Sequence, residues 1–252
     1  MNRIAVDIVI VVAALVLYYK VVLVVVRDKL VSAGVQLLLS HFRTLRSPVG
    51  DIENVTTLVF GAVSQVLLFS LLVACSSINA RQLWRGAPHQ SQLLVYGAVL
   101  GFGEMLLGSF LGLVVIKLSA AIPNLGNPLL HWQVVLNSGW MRLFNTTLNL
   151  LPLPAAISLV LLYVGVEELI IRGIVFNVLL PVGHFSAVFF STVIFAGYQV
   201  FNLPSWRVAM FPVIGALVMG IIHGVLYLAV PDVWPLVVAH VTYFTIVALT
   251  FR

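Results

Sequence analysis

The stretch Val166-Glu167-Glu168-Leu169-Ile170-Ile171-Arg172-Gly173 decides how this sequence folds and where its function lies. Two adjacent glutamates and an arginine stand inside an otherwise apolar run from Leu151 to Leu180. An ionisable side chain in a bilayer is costly unless it is paired or faces a polar cavity. Because three such groups fall within six residues, this stretch is the first candidate for a functional site.

The composition of the chain indicates a membrane protein. Of its 252 residues, 62% are hydrophobic and 8% are charged, whereas soluble globular proteins have about 25% charged residues. Apolar runs of about 18 or more residues predict membrane helices rather than the alternating strands of a barrel. We therefore predict an all-α polytopic membrane helical bundle of about seven transmembrane helices.

The seven predicted spans form a single integral membrane domain over residues 1–252, with N-terminal helices and loops at 1–150 and a core at 151–252. All five tryptophans fall in predicted loops or at span ends, which is the pattern of an aromatic belt. The spans are predicted at about 4–26, 55–75, 93–116, 148–180, 184–202, 208–230 and 233–251.

The basic residues of the loops predict the orientation. Eight lie on the side that holds the C-terminus and three on the other side, leaving out Arg172. The positive-inside rule therefore predicts a cytoplasmic C-terminus and an outside N-terminus. The eight are Arg27, Lys29, Arg43, Arg46, Lys117, Arg142, Arg207 and Arg252, and the three are Arg3, Arg81 and Arg85.

The net charge and the cysteine count exclude several functional classes. The formal charge of +5 is what cytoplasmic loops of a polytopic protein produce, so no nucleic-acid partner is predicted. The lone Cys75 excludes an internal disulfide framework and a multi-cysteine metal site. The expected surroundings are a lipid bilayer and a membrane-associated protein or peptide.

Helical geometry divides the charged cluster into two parts. Glu168 and Arg172 are four residues apart, so they share a helix face and are placed to form an ion pair. Glu167 lies about 100° around the helix and has no such cation. A carboxylate left free in this way suits a general base that acts on water. The alternative is that all three residues only hold helices together.

Two other spans carry ionisable residues at depth. Glu104, in the middle of the third span, is either part of the site or a structural group that is hydrogen-bonded to a neighbouring helix. His240 in the seventh span is a candidate partner of the motif glutamate. His223 is flanked by Gly220 and Gly224 in a small-xxx-small pattern, which favours a packing role.

The chain resembles the CPBP intramembrane proteases, which include the CAAX prenyl endopeptidases and the Abi bacteriocin-immunity proteins. Glu167-Glu168-x-x-x-Arg172-Gly173 is similar to their first motif, EExxxR, and the resemblance covers about 151–251. Phe195 matches the phenylalanine of the FxxxH motif, and His240 matches the histidine of the HxxxN or HxxxD motif. Gln199 stands where that family has its second-motif histidine, and Phe244 where it has Asn or Asp.

The resemblance implies an intramembrane endopeptidase in which Glu167 activates the attacking water, His240 assists it and Gln199 orients it. Glu168, Arg172 and Phe195 would then support the site. Glu167, Gln199 and His240 make a poor zinc set, so no metal or other cofactor is predicted. The expected location is a bacterial inner membrane.

Two alternatives remain open at this point. The first is a catalytically inactive immunity or scaffold protein on the same fold, favoured by Gln199 and Phe244. The second is a proton-coupled transporter that uses Glu104, Glu167 and Glu168 as a relay.

Overall fold

The computed structural model describes residues 3–41, 48–79, 83, 91–120, 139–200 and 206–250. Over these ranges the chain is helical and contains no β-strand, which confirms the predicted all-α class. Several residues used above to predict orientation and the aromatic belt lie outside the described ranges. They are Arg43, Arg46, Arg81, Arg85, Arg252, Trp84 and Trp132.

The first half of the chain forms long helices. α1 (Arg3–Leu17) continues through a π-helical segment, Tyr18–Val26, into α2 (Arg27–His41), so the first helix extends well beyond its predicted end near residue 26. α3 spans Val49–Cys75 and α4 spans Ser91–Ala120.

The second half carries the charged cluster. α6 (Leu153–Glu168) continues as a π-helical segment, Leu169–Phe176, and all eight residues of that segment are buried. The other elements in order are α5 (Gly139–Leu150), α7 (Asn177–Leu179), a 3₁₀ turn (Leu180–Val182), α8 (His184–Val200), α9 (Trp206–Ala229) and α10 (Trp234–Thr250).

A proline separates α5 from α6, where the sequence predicted one span beginning near residue 148. Pro152 has φ −54° and ψ 137°, so the backbone leaves the helical conformation there. Proline also lacks the N–H that a continuing helix would need. α5 is therefore a separate short helix, and its first nine residues occupy a region that the sequence predicted as a loop.

Length and composition identify the membrane-crossing helices. Within the described ranges, four segments are long and apolar enough to cross a bilayer, and two further apolar helices are shorter. Together with the composition, they make the chain an integral membrane protein. The four are Arg3–His41, Val49–Cys75, Ser91–Leu118 and Pro212–Ala229, and the two are His184–Val200 and Trp234–Val247.

α4 and α10 pack closely because α4 carries glycines at the contact. A Cβ atom added to Gly97 would lie 2.3 Å from the carbonyl oxygen of Pro235, and one added to Gly101 would lie 2.2 Å from that of Ala239. Gly97 and Gly101 thus form a GxxxG contact between two membrane helices. Because Glu104 follows Gly101 by three residues, this contact also carries Glu104 into the bundle.

We expect Gly101→Ala to destabilise the protein by about 3 kcal/mol, because its methyl group would overlap a backbone carbonyl that cannot move without shifting α10. The matched control is Gly103→Ala on the same helix, where nothing lies within 4 Å of an added Cβ. That change should be neutral or stabilising by up to about 1 kcal/mol, from helix propensity alone. Thermal unfolding of the two variants in detergent gives the comparison; equal unfolding temperatures would contradict the close α4–α10 contact.

Candidate functional site

The free glutamate of the motif meets the glutamine of α8. Gln199 Nε2 donates a hydrogen bond of 3.0 Å to Glu167 Oε1. Both side chains are buried, with exposed fractions of 4% for Glu167 and 8% for Gln199. The two residues that the sequence placed in the site from different spans are therefore in direct contact.

Glu167 and Gln199 line the buried end of a cavity of about 540 Å³. The same cavity is lined by exposed polar and charged residues of α2, α3 and α5. It therefore connects a solvent-accessible mouth with a buried carboxylate, which is the arrangement that an intramembrane reaction with water requires. The charged residues at the mouth are Arg27, Asp28, Glu53 and Arg142.

One wall of the cavity is aromatic. The Phe244 ring stands edge-on to Trp140, at 4.3 Å between centroids, and to Phe144, at 5.5 Å. All three side chains line the cavity. Phe244, which takes the position of the family's Asn or Asp, thus belongs to an apolar wall and has no polar group to offer.

A pair of tyrosines lies on the cavity wall beside Glu167. The hydroxyl oxygens of Tyr163 and Tyr198 are 2.5 Å apart, and Gln65 Nε2 donates to Tyr198 Oη at 2.8 Å. Gly61 on α3 makes room for the ring, since a Cβ there would lie 2.7 Å from Tyr163 Cε2. The cavity therefore contains phenolic hydroxyls held in fixed positions by α3, α6 and α8.

A second polar centre joins α4, α6 and α9. His223 Nδ1 lies 2.6 Å from Glu168 Oε1, and His223 Nε2 lies 3.2 Å from Glu104 Oε2. All three side chains are buried. Each of these contacts between a ring nitrogen and a carboxylate needs one proton, so the three groups share two protons whichever of them carries each.

Arg172 compensates the charge of this centre. Its side chain has an exposed fraction of 0%, and its Nε lies 3.8 Å from Glu168 Oε2. Its Nη2 lies 3.5 Å from the carbonyl oxygens of Met219 and Gly220, and its guanidinium carbon is 5.3 Å from the centroid of the Phe195 ring. The contact between Glu168 and Arg172 agrees with the pairing that their spacing predicted.

His240 belongs to the second centre rather than to the cavity. Its Nδ1 is 3.7 Å from Glu168 Oε1, too far for a hydrogen bond, and no ion-pair contact joins it to Glu167. Its ring packs against Phe195 and against Phe244, at 5.5 Å and 4.8 Å between centroids. The structure therefore places His240 beside Glu168, whereas the sequence hypothesis had it assisting Glu167.

Two residues of these centres, His223 and Tyr163, were not predicted as site residues from the sequence. Gly220 and Gly224 do pack closely on α8, as predicted, but His223 between them bridges two glutamates. Glu104 and His223 are both ionisable groups inside predicted spans, and each needs a partner there. This could have indicated that the two residues pair with each other. Tyr163, four residues before Glu167, could have been found by the same helical spacing that paired Glu168 with Arg172.

Within the ranges that the structure describes, no group of three or more His, Cys, Asp or Glu side chains could hold a metal ion. The centre around Glu168 is held together by hydrogen bonds and ion pairs between protein groups.

The fold and the site define an integral membrane protein with adjacent glutamates buried inside a helical bundle, one of them reached by a cavity. Residues 149–246 match the family model described as Rce1-like, type II CAAX prenyl endopeptidase Rce1-like. The match confirms the resemblance of this segment to the CPBP intramembrane proteases that the EExxxR motif indicated. Comparisons with curated proteins and with solved structures gave no match.

Proposed function

We propose that the protein is a CAAX-protease-like intramembrane endopeptidase that cleaves a membrane-associated protein or peptide. The observation that carries this proposal is the hydrogen-bonded pair of Glu167 and Gln199 at the buried end of the cavity. The match of residues 149–246 to an endopeptidase family supports it.

Glu167 is the general base of the proposed reaction. Gln199 engages its Oε1, which leaves Oε2 to accept a proton from a water molecule in the cavity. The water oxygen bonds to the carbonyl carbon of the substrate, and the π electrons of that carbonyl move onto its oxygen. When the carbonyl forms again, the C–N bond breaks and the proton on Glu167 passes to the leaving nitrogen. The products are a carboxyl group and an amine, and Glu167 returns to its starting state.

Glu168, Arg172 and His240 have a supporting role in this proposal. Glu168 contacts His223 and Arg172, and these contacts fix the rotation of the helix that carries both glutamates. With Glu168 turned into this centre, its neighbour Glu167 is turned towards the cavity. His240 acts through Glu168, and Phe195 packs between Arg172 and His240.

The walls of the cavity suggest a class of substrate. The aromatic wall of Trp140, Phe144 and Phe244 suits an apolar group next to the scissile bond, such as a lipid-modified or aliphatic side chain. Arg27 and Arg142 at the mouth suit a carboxylate at the end of the peptide. This fits the activity that the family description names, that of a CAAX prenyl endopeptidase.

The same proposal gives the protein an orientation in a bacterial inner membrane. Arg27 and Arg142 lie on the side that the loop charges predict to be cytoplasmic, together with the C-terminus. The cavity would then take its water and its substrate from the cytoplasmic side.

The test is cleavage of two quenched fluorescent peptides by the purified protein in liposomes. One peptide carries a farnesylated cysteine in a C-terminal CAAX sequence, and the other is the same peptide without the lipid. We expect cleavage of the farnesylated peptide, with one ¹⁸O atom in the new carboxyl group when the reaction is run in H₂¹⁸O. A folded protein that cleaves neither peptide would contradict the proposal and favour an inactive immunity or scaffold protein.

A further inference from the structure

We propose that Tyr163 and Tyr198 together supply the hydrogen-bond donor that stabilises the oxyanion at this site. The inference rests on the proposed peptidase function. It assigns a catalytic role to two residues outside the EExxxR, FxxxH and HxxxN positions of this chain.

The proposed reaction needs such a donor inside the cavity. The carbonyl oxygen of the substrate becomes negatively charged when water adds, and in an apolar cavity that charge must be met by a preorganised donor. Phe244 offers no donor, and the ring of His240 packs behind it and does not line the cavity. Gln199 already gives one of its two amide hydrogens to Glu167. Among the other donors on the cavity wall, the phenols of Tyr163 and Tyr198 lie on the two helices that carry Glu167 and Gln199, whereas the indole N–H of Trp140 comes from α5.

The contacts of the two tyrosines leave one phenolic hydrogen free. Tyr198 Oη accepts a hydrogen from Gln65 Nε2, and one further hydrogen lies between the two phenol oxygens. Two phenols carry two hydrogens, so one is not used in either contact. If Tyr198 donates to Tyr163, the free hydrogen is on Tyr163; if Tyr163 donates to Tyr198, it is on Tyr198. In both arrangements, one phenolic O–H of the pair is free to donate a hydrogen bond.

The position of the pair suits the reaction. Both side chains line the cavity that Glu167 lines. Tyr163 precedes Glu167 by four residues and so lies on the same face of α6, one turn away. Tyr198 immediately precedes Gln199 on α8, so the two helices that provide the base and its orienter also provide the phenols. The donor and the base therefore reach one substrate carbonyl from adjacent positions.

The pair is also held rigidly, as preorganisation requires. Gln65 is buried and reaches Tyr198 from α3, a third helix. Gly61, one turn before Gln65, leaves the space that the Tyr163 ring fills. A contact of 2.5 Å between two hydroxyls then fixes each phenol relative to the other. Such a fixed donor loses little freedom when charge develops next to it.

The experiment compares Tyr163→Phe, Tyr198→Phe and the double variant in the cleavage of the farnesylated peptide. Each single variant keeps one phenol with a free hydrogen, so kcat should fall by no more than about fivefold. The double variant loses every phenolic donor of the pair, and kcat should fall by about 10²- to 10³-fold, the usual effect of removing an oxyanion donor. KM should stay within about threefold throughout. This strongly non-additive pattern is the signature of a shared donor.

The control is Tyr18→Phe, which removes a buried phenol that hydrogen-bonds to Ser64 and does not line the cavity. It should leave kcat unchanged. A double variant with wild-type kcat would overturn the inference, and so would two single variants that each lose as much as the double. If the wild-type protein cleaves neither peptide, the peptidase proposal itself fails; if it cleaves the farnesylated peptide and only the tyrosine pattern is absent, the peptidase proposal stands without this donor.

A second measurement avoids any loss of folding in the double variant. 3-Fluorotyrosine is placed at position 163, 198 or 18, and a peptidyl aldehyde, which forms a tetrahedral hydrate, is added as the probe. The fluorine resonances at 163 and 198 should shift when the probe binds, whereas the resonance at 18 should not. Equal shifts at all three positions, or none, would overturn the inference.

Discussion

Replacing Glu167 with glutamine is expected to lower kcat for the farnesylated peptide by about 10³-fold, with little change in KM. Glutamine has nearly the same shape, and its carbonyl oxygen can still accept the hydrogen bond from Gln199. It cannot take a proton from water at neutral pH. The loss should therefore fall on the chemical step and leave the cavity, the peptide and the fold in place.

The matched control for this prediction is Glu53→Gln. Glu53 lines the mouth of the same cavity but is exposed, so the same change of charge should alter kcat less than about twofold. The unfolding temperatures of both variants should match that of the wild type. Cleavage by Glu167→Gln at the wild-type rate would exclude Glu167 as the base, whatever the other residues do.

The parts of the site that were predictable from sequence are those that depend on a single helix. The pairing of Glu168 with Arg172 follows from a spacing of four residues, and that geometry needs no knowledge of the neighbouring helices. The separation of Glu167 from that pair follows from the same helix. The all-α class could also be predicted, because the polar N–H and C=O groups of the backbone must be hydrogen-bonded within the protein in a bilayer, and helices do this.

The contacts between side chains of different helices could be predicted from the sequence only in part. Glu167 and Gln199 are 32 residues apart in sequence, and only the resemblance to the CPBP proteases placed them in one site. The resemblance also suggested that His240 assists Glu167, but in the structure His240 lies beside Glu168. The rotation of α10 decides between the two glutamates, and no pattern within α10 determines it.

That rotation depends on contacts between backbones. α10 is held against α4 where Gly97 and Gly101 approach the carbonyls of Pro235 and Ala239. The same close approach brings Glu104 within reach of His223 on α9. A glycine in a single sequence predicts that another helix can come near, but it does not identify which helix comes or in what register. The histidine bridge was therefore missed for a physical reason.

We expect the second large effect from Arg172, whose replacement by leucine should destabilise the protein by about 3 to 5 kcal/mol. The guanidinium is fully buried and is the one arginine or lysine near Glu168 among the described side chains. Without it, Glu168 would keep only His223 as a hydrogen-bonded partner, and two carboxylates would face one imidazole. Thermal unfolding in detergent, followed by intrinsic fluorescence, measures the loss.

Two further variants separate the charge of Arg172 from its shape. Arg172→Lys keeps the cation but loses the planar group that lies over Phe195 and approaches two carbonyls, so it should cost about half as much. Lys117→Met, at the exposed end of α4, is the control for loss of a cation and should cost less than about 0.5 kcal/mol.

A double-mutant cycle then tests whether Arg172 acts through Glu168. Glu168→Gln combined with Arg172→Leu removes the uncompensated anion together with its cation, so the double variant should be more stable than the sum of the two single losses predicts, by about 2 kcal/mol. A coupling near zero would mean that Arg172 is held by Phe195 and the carbonyls of α9 alone. In that case the spacing of four residues would bring the two charges close to each other with no coupling free energy between them. The fixed rotation of the helix that carries Glu167 would then need another cause.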